Sequence, residues 1–178
     1  PITEKFDVYI ALDSEKSRIG EAEKFFDQAE KRINIDHHIS NAGGSGDVNY
    51  VVPTASSASE LVYDVIGDKS AIDADIAKAL YIGIIHDTGV FQYSNTSPKT
   101  MKIAAELISY GFDFPELIDK TFYEKTYVQN QILGRALLES ILFMDGKCIV
   151  SMIDKKTMAF YNADSHDLEG IVSQLRST

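Results

Sequence analysis

The chain has 178 residues, 44% of them hydrophobic and 25% charged, and these proportions are those of an ordinary globular protein. The 17 basic and 27 acidic residues give a net charge of −10, which argues against a surface that binds long nucleic acid. The single cysteine, Cys148, excludes an internal disulfide framework and a cysteine-based zinc site. No apolar run approaches the ~20 residues of a membrane-spanning helix. We therefore expect a cytoplasmic protein without a membrane partner.

The first elements in the chain follow the order strand, helix, strand. An apolar, β-branched run that ends at Asp13 predicts a buried strand over residues 7–13. Residues 20–30 predict a short surface helix, and residues 32–36 predict a second strand. This order within about thirty residues indicates a βαβ unit, and with it an α/β fold in which helices flank a parallel sheet.

Helix-start signals recur through the rest of the chain. Ser57 and Glu60 have the spacing of a capping box, in which each side chain bonds a free backbone amide of the first turn. Ser97 precedes a proline in the first helical position, which favours a helix over residues 99–110. Further helices are predicted to start near residues 73, 113 and 126. Residues 48–52 and 91–93 are predicted to be short extended segments, and Asp145-Gly146 indicates a hairpin of strands 141–144 and 147–153.

Ligand-competent side chains stand at the ends of three apolar runs. Asp13 ends the first, Asp36-His37-His38 follows the second, and Asp87 closes a third. Ligands of open parallel sheets bind at the carboxyl ends of the strands, so these groups can meet at one edge. Carboxylates and imidazoles without cysteine favour an ion such as Mn²⁺. A lone Asp13 has a simpler interpretation as a loop or helix cap, but three polar residues directly after an apolar strand favour chemistry.

The run Asn34-Ile-Asp-His-His38 resembles the signature of the DHH phosphoesterase superfamily. The rest of the chain is similar to its NrnA-like branch of nano-RNases and pAp phosphatases, through the Ile10–Asp13 strand, the Pro53–Glu60 segment (PTASSASE) and the Gly83–Phe91 segment (GIIHDTGVF). The resemblance implies a Mn²⁺-dependent hydrolase, an exonuclease or pAp phosphatase, that attacks short oligoribonucleotides, pApA-type dinucleotides or pAp with metal-activated water. The expected partner is therefore a short nucleotide substrate.

The resemblance also implies a role for each site residue. Asp13 would bridge two Mn²⁺ ions, and His37 and Asp87 would ligate the second ion. His38 would face the scissile phosphate, and Asp36 would orient a histidine. The same resemblance implies that His38, Ser56 and Ser57 contact the substrate.

The chain departs from the family pattern at both ends. The superfamily's first motif and its carboxy-terminal DHHA1-type substrate-binding domain are both missing from the sequence. We therefore expect residues 1–164 to be a DHH domain that lacks its first strand-motif segment. Residues 165–178 would then be a linker, and the chain by itself would have little activity.

Three other interpretations of the function are compatible with the sequence. The chain could belong to a manganese inorganic pyrophosphatase or an exopolyphosphatase of the same superfamily, or be a catalytically incomplete binding segment. A homodimer is a further alternative, because apolar residues of the late helix could support self-association or equally well face a core (Ile132, Leu133, Leu137 and Leu138).

Overall fold

A computed structural model describes residues 5–177, and the chain divides into two compact units, Pro1–Phe122 and Tyr123–Thr178. The strands are β1 (Val8–Leu12), β2 (Lys31–Asp36), β3 (Val48–Val51), β4 (Ile141–Phe143) and β5 (Cys148–Val150). The α-helices are α1 (Glu23–Gln28), α2 (Ala58–Val65), α3 (Ala74–Asp87), α4 (Pro98–Ile108), α5 (Phe114–Ile118), α6 (Tyr127–Leu138), α7 (Lys155–Tyr161) and α8 (Ile171–Arg176). No helix in residues 5–177 is long and apolar enough to cross a membrane.

The first unit contains a parallel sheet with β2 between β1 and β3, which confirms the α/β prediction. In the register, Leu12 pairs with Ile35, so β1 and β2 end side by side. Helix α2 packs on the face that carries Ile35, and Phe26 of α1 packs edge-to-face against Tyr9 on the other face. The carboxyl ends of β1 and β2 therefore bring Asp13 and Asp36 together.

Helix α3 forms the centre of the first unit's core. Its residues Leu80, Ile84 and Ile85 are buried, and they pack with Ile103 and Leu107 of α4. Asp73 caps the first turn of α3 by accepting a hydrogen bond from the third amide of the helix. This packing fixes the far end of α3, where Asp87 lies.

Three local predictions are wrong in detail. The helix predicted over 20–30 is an α-helix only over Glu23–Gln28, after a 3-10 turn. Residues 91–93 form a turn rather than an extended segment, because Val90 and Phe91 adopt positive φ angles of 53° and 66°. Only half of the first capping box forms: Ser57 Oγ accepts the Glu60 amide hydrogen at 3.0 Å, but the Glu60 carboxylate bonds elsewhere.

The second unit has its own small core. Ile132 and Ala136 of α6 pack with Ile171 of α8, and Leu133 is partly buried against them. Leu138 is exposed, so the late-helix apolar residues divide between core and surface. The predicted hairpin forms between β4 and β5. The boundary predicted at residue 164 stays a prediction, and within 165–178 the structure places helix α8.

Candidate metal centre

Asp13 occupies the point where the chain leaves β1. Its amide donates to the Ile35 carbonyl at 3.0 Å, which continues the strand ladder by one residue. Its φ angle is 58°, in the left-handed region that aspartate tolerates better than most residues. The chain therefore turns sharply at Asp13, and the carboxylate stays at the sheet edge, half exposed.

His37 follows β2 and lies between two carboxylates. Its Nε2 is 3.3 Å from Asp13 Oδ1 and 3.5 Å from Asp87 Oδ2. Its Nδ1 is 3.3 Å from the Ala55 carbonyl oxygen, to which it can only donate. That bond selects the tautomer with a free lone pair on Nε2, the form that a metal ligand needs.

Asp87 is the last residue of α3 and completes this group of side chains. Burial raises the pKa of its carboxyl, and the nearby negative charge of Asp13 raises it further, while the neighbouring histidines oppose both. Two carboxylates that share one imidazole repel each other until a cation lies between them. This arrangement favours the binding of a positive ion.

Asp36 is fully buried and bonds to the two histidines that follow it. Its Oδ1 accepts the backbone amides of His37 at 2.7 Å and His38 at 3.1 Å, and also His38 Nδ1 at 2.7 Å. Burial by itself would raise the pKa of Asp36, but hydrogen bonds from Asn41 and His38 outweigh it and lower that pKa. In return, the bond to Asp36 raises the pKa of His38 and leaves its Nε2 directed away from Asp36.

An amide network that sequence reasoning missed holds Asp36 in place. Asn41 Nδ2 donates both to Asp36 Oδ2 at 2.7 Å and to Asn34 Oδ1 at 2.8 Å. Asn34 Nδ2 in turn donates to the carbonyls of Ala11 and Ser14. Asn34 is fully buried in β2, and its position between Ile33 and Ile35 is the sequence signal that could have found it.

Ser56 and Ser57 are buried and hydrogen-bonded within the fold. Ser56 Oγ donates to Glu60 Oε2 at 2.7 Å, and Ser57 Oγ caps α2. Thr100 Oγ1 donates to the same Glu60 oxygen at 2.7 Å. The predicted substrate contact of the two serines stays a prediction. In the structure, both hydroxyls form hydrogen bonds that connect the loop before α2 to the first turn of that helix.

A cavity of about 250 Å³ opens beside the histidines. It is lined by Asp13, Ser14, Glu15, Arg18, Asp36, His38, Ser40 and Asn41. Arg18 is exposed and is the one arginine or lysine in this lining, beside the carboxylates of Asp13, Glu15 and Asp36. Sequence reasoning missed Arg18, because nothing in the spacing of residues 14–18 singles it out.

The donor groups at this sheet edge fit a divalent cation. Asp13, His37 and His38 can each offer one ligand atom, all within 4.8 Å of one another. The His38 nitrogen that lies near Asp13 is Nδ1, at 3.7 Å, and it already donates to Asp36, whereas the His37 nitrogen beside Asp13 and Asp87 is the free Nε2. We therefore favour Asp13, His37 and Asp87 as the ligand set, one nitrogen and carboxylate oxygens of the kind that Mn²⁺ accepts.

Comparison with known proteins finds a family match in the first part of the chain. Residues 2–84 match the family model described as "DHH family, N-terminal domain". The chain belongs to the DHH family. The DHH signature itself is Asp36-His37-His38, at the carboxyl end of β2, and Asp36 and His38 line the cavity.

Two curated relatives and one solved structure extend the match beyond residue 84. The chain is 32% identical over 143 residues to the "Bifunctional oligoribonuclease and PAP phosphatase NrnA" of Thermus thermophilus, a match that covers 79% of this chain and 42% of the relative. It is 30% identical over 149 residues to the Bacillus subtilis protein of the same name, and this match covers 82% of this chain and 47% of the relative. A crystal structure of an exopolyphosphatase-related protein from Bacteroides fragilis has a TM-score of 0.89 at 26% identity and covers 97% of this chain and 52% of that one. The DHH chain thus spans about half the length of the relatives it matches.

Proposed function

We propose that this DHH chain forms the metal-bearing part of a Mn²⁺-dependent phosphoesterase that hydrolyses short oligoribonucleotides, pApA-type dinucleotides and pAp. The observation that carries the proposal is the position of His37, with Nδ1 bonded to Ala55 and Nε2 between the carboxylates of Asp13 and Asp87. A bound divalent ion supplies Lewis-acid polarisation of a phosphoryl oxygen and a water of lowered pKa. Asp13, His37 and Asp87 would hold it.

We propose that His38 meets the phosphate. It lines the cavity, and Asp36 accepts the hydrogen of its Nδ1. Because this bond raises the pKa of His38, a larger share of the imidazole carries a proton at neutral pH. The proton on Nε2 can then be donated to a phosphate oxygen, where it offsets developing negative charge.

Arg18 lines the same cavity and would supply a second positive charge there. A guanidinium forms paired hydrogen bonds with phosphate oxygens, so Arg18 is suited to hold an anionic group of the substrate. Asp13, Glu15 and Asp36 make the rest of the wall negative. An acidic site of this kind binds phosphate through a cation and a few fixed donors, which suits a small nucleotide.

Other parts of the proposal rest on composition and on the relatives. The net charge of −10 is unsuited to long nucleic acid, and the T. thermophilus and B. subtilis relatives are both named as oligoribonucleases and PAP phosphatases. A single cysteine fits a reducing compartment, so we place the protein in the cytoplasm. We also propose that a longer protein supplies further ligands for a second Mn²⁺ ion and the groups that read the base.

The test is hydrolysis of pApA, pAp and short RNA by the full-length protein with and without Mn²⁺. We expect Asp87→Ala to lower kcat by about a hundredfold or more, since it removes a ligand rather than an outer partner. Asp75→Ala, at the exposed start of the same helix, is the matched control and should leave kcat unchanged. Mn²⁺-dependent hydrolysis that survives Asp87→Ala would contradict the proposal.

A second candidate is hydrolysis of inorganic pyrophosphate or polyphosphate. It is favoured by the B. fragilis structure, which is described as exopolyphosphatase-related and superposes on nearly the whole chain. The two candidates use the same metal site and differ in the substrate. Turnover of pyrophosphate or polyphosphate that exceeds that of pApA and pAp would favour the second.

A further inference from the structure

Asn95 connects the two segments that surround His37. It lies in the loop between α3 and α4, and its Nδ2 donates to the Ser56 carbonyl at 2.9 Å and to the Asp87 carbonyl at 3.1 Å. Both hydrogens of the amide are therefore used. One bond holds the loop before α2, and the other holds the end of α3.

These two carbonyls lie next to the groups that contact the imidazole. Ala55, directly before Ser56, accepts from His37 Nδ1, and the Asp87 carboxylate faces His37 Nε2. A single side chain thus links the backbone of Ser56, next to the residue that fixes the tautomer, to the backbone of Asp87, whose carboxylate lies on the opposite side of the ring. Without it, the segments that carry these groups could move apart.

The loop is held on its other side by a buried carboxylate. Glu60 accepts from Ser56 Oγ, while the Ser56 carbonyl accepts from Asn95. Hydrogen bonds from Ser56 and Thr100, with the charge of Lys99, outweigh the effect of burial and lower the pKa of Glu60. Ser56 is therefore fixed through both its side chain and its backbone.

A second observation sets Asn95 apart from an ordinary loop asparagine. Its Oδ1 is buried without a hydrogen-bond partner within the described residues. A buried acceptor without a partner lowers stability, and such groups in a folded protein call for an explanation. The donation by Nδ2 to both sides of the metal centre supplies one.

We propose that Asn95 is a positioning residue of the metal centre, which sets the spacing between the Ala55–Ser56 backbone and Asp87 around His37. The inference rests on the proposed function, because it takes Asp13, His37 and Asp87 as metal ligands. Outer groups that orient metal ligands typically change metal affinity by about 10–100-fold when they are removed. Asn95 acts through backbone carbonyls and touches neither the ion nor the substrate.

The test is titration of Mn²⁺ by calorimetry into the chain and its variants, with thermal unfolding measured in EDTA. We expect Asn95→Ala and Asn95→Asp to weaken Mn²⁺ binding by about tenfold or more, since both lack the two donated hydrogens. Ser94→Ala, at the exposed neighbouring position, is the matched control and should bind Mn²⁺ like the unaltered chain. Asn95→Asp keeps the size of the side chain but adds a charge, and Asn95→Ala removes the side chain without adding one. A loss of affinity that both variants share therefore reports the lost hydrogen bonds.

A merely structural role predicts a different pattern, in which the variants unfold at lower temperature but bind Mn²⁺ with unchanged affinity. That result would overturn the inference and leave the proposed function intact. Combining Asn95→Ala with Asp87→Ala gives a further measure: if Asn95 acts through Asp87, the two losses of affinity are not additive. Additive losses would count against the inference. Absence of Mn²⁺ binding by the unaltered chain would overturn the proposed function, and this inference with it.

Discussion

Replacing Asp36 by asparagine should show how strongly the buried network depends on a carboxylate. Asp36 accepts four hydrogen bonds, from two backbone amides, His38 Nδ1 and Asn41 Nδ2. An asparagine keeps one oxygen, which can replace Oδ1, and then directs its own amide hydrogens at Asn41 Nδ2. Asn41 cannot turn over to accept them, because its Nδ2 also donates to Asn34 Oδ1 at 2.8 Å.

The magnitude follows from this mismatch. One hydrogen bond to a charged group is lost, at about 1.5–3 kcal/mol, and one buried donor is left without a partner, at about 1–3 kcal/mol. Because such costs are not strictly additive, we expect Asp36→Asn to lower the free energy of unfolding by about 3–4 kcal/mol at neutral pH. The pKa of His38 should fall towards its ordinary value in the variant, since Asp36 is the first cause of its rise.

The lowered pKa of Asp36 also predicts how the stability difference between the unaltered chain and Asp36→Asn changes with pH. The folded-state pKa of Asp36 is lowered, so its ionised form stabilises the fold above the unfolded-state pKa of about 3.9, and this contribution is lost as the pH falls through the folded-state pKa. The difference between the unaltered chain and Asp36→Asn should therefore be full at neutral pH and shrink in acid.

The assay is urea unfolding followed by far-UV circular dichroism at neutral and acidic pH, with amide exchange of the β2 residues as a local readout. Asp64→Asn is the matched control, because Asp64 is a partly exposed carboxylate that pairs with Lys99, and it should cost under about 1 kcal/mol. A loss below about 1 kcal/mol for Asp36→Asn at neutral pH would refute the reasoning.

Three further predictions test other contacts. Glu60→Gln should lower the free energy of unfolding by about 1–3 kcal/mol at neutral pH and by less in acid, because the folded-state pKa of Glu60 is lowered. Urea unfolding midpoints at both pH values measure this loss, and a loss that grows in acid would contradict the prediction. Gly83→Ala brings a Cβ against Ser59 Oγ and should lower the free energy of unfolding by about 1–3 kcal/mol. Thermal unfolding measures the loss, and Ser59→Gly should restore part of it. No loss would mean that α2 and α3 are not closely packed at Gly83. Arg18→Ala should raise KM for pApA about fivefold, equivalent to ~1 kcal/mol, with Mn²⁺ affinity unchanged; an unchanged KM would remove Arg18 from the substrate site.

Much of the sheet and its edge could be predicted from sequence. The apolar runs before Asp13 and His37 fix two strands, and parallel strands end at one edge, so the meeting of these residues follows from topology. The apolar run before Asp87 indicated the same edge, although Asp87 ends a helix rather than a strand. N-caps such as Ser97 were predictable because their signal lies within four residues.

The remaining features depend on contacts between distant segments. Glu60 has the spacing of a capping-box residue, yet Thr100, forty positions later, provides a better partner for its carboxylate. Asn95 bonds to Ser56 across a gap of 39 residues, which no local pattern shows. Val90 has a positive φ angle although its side chain is β-branched, a combination that residue preference disfavours. Residues 91–93 were therefore predicted to be extended, whereas the chain turns there after α3.

Mn²⁺ titration of the chain by calorimetry would show whether His37 and the carboxylates around it hold a metal ion. We expect binding that is lost in both Asp13→Ala and His37→Ala, because His37 Nε2 lies 3.3 Å from Asp13 Oδ1 and 3.5 Å from Asp87 Oδ2, and each substitution removes one of these ligand atoms. Thermal unfolding in EDTA should show that both variants remain folded. Unchanged Mn²⁺ binding in folded His37→Ala would contradict the account.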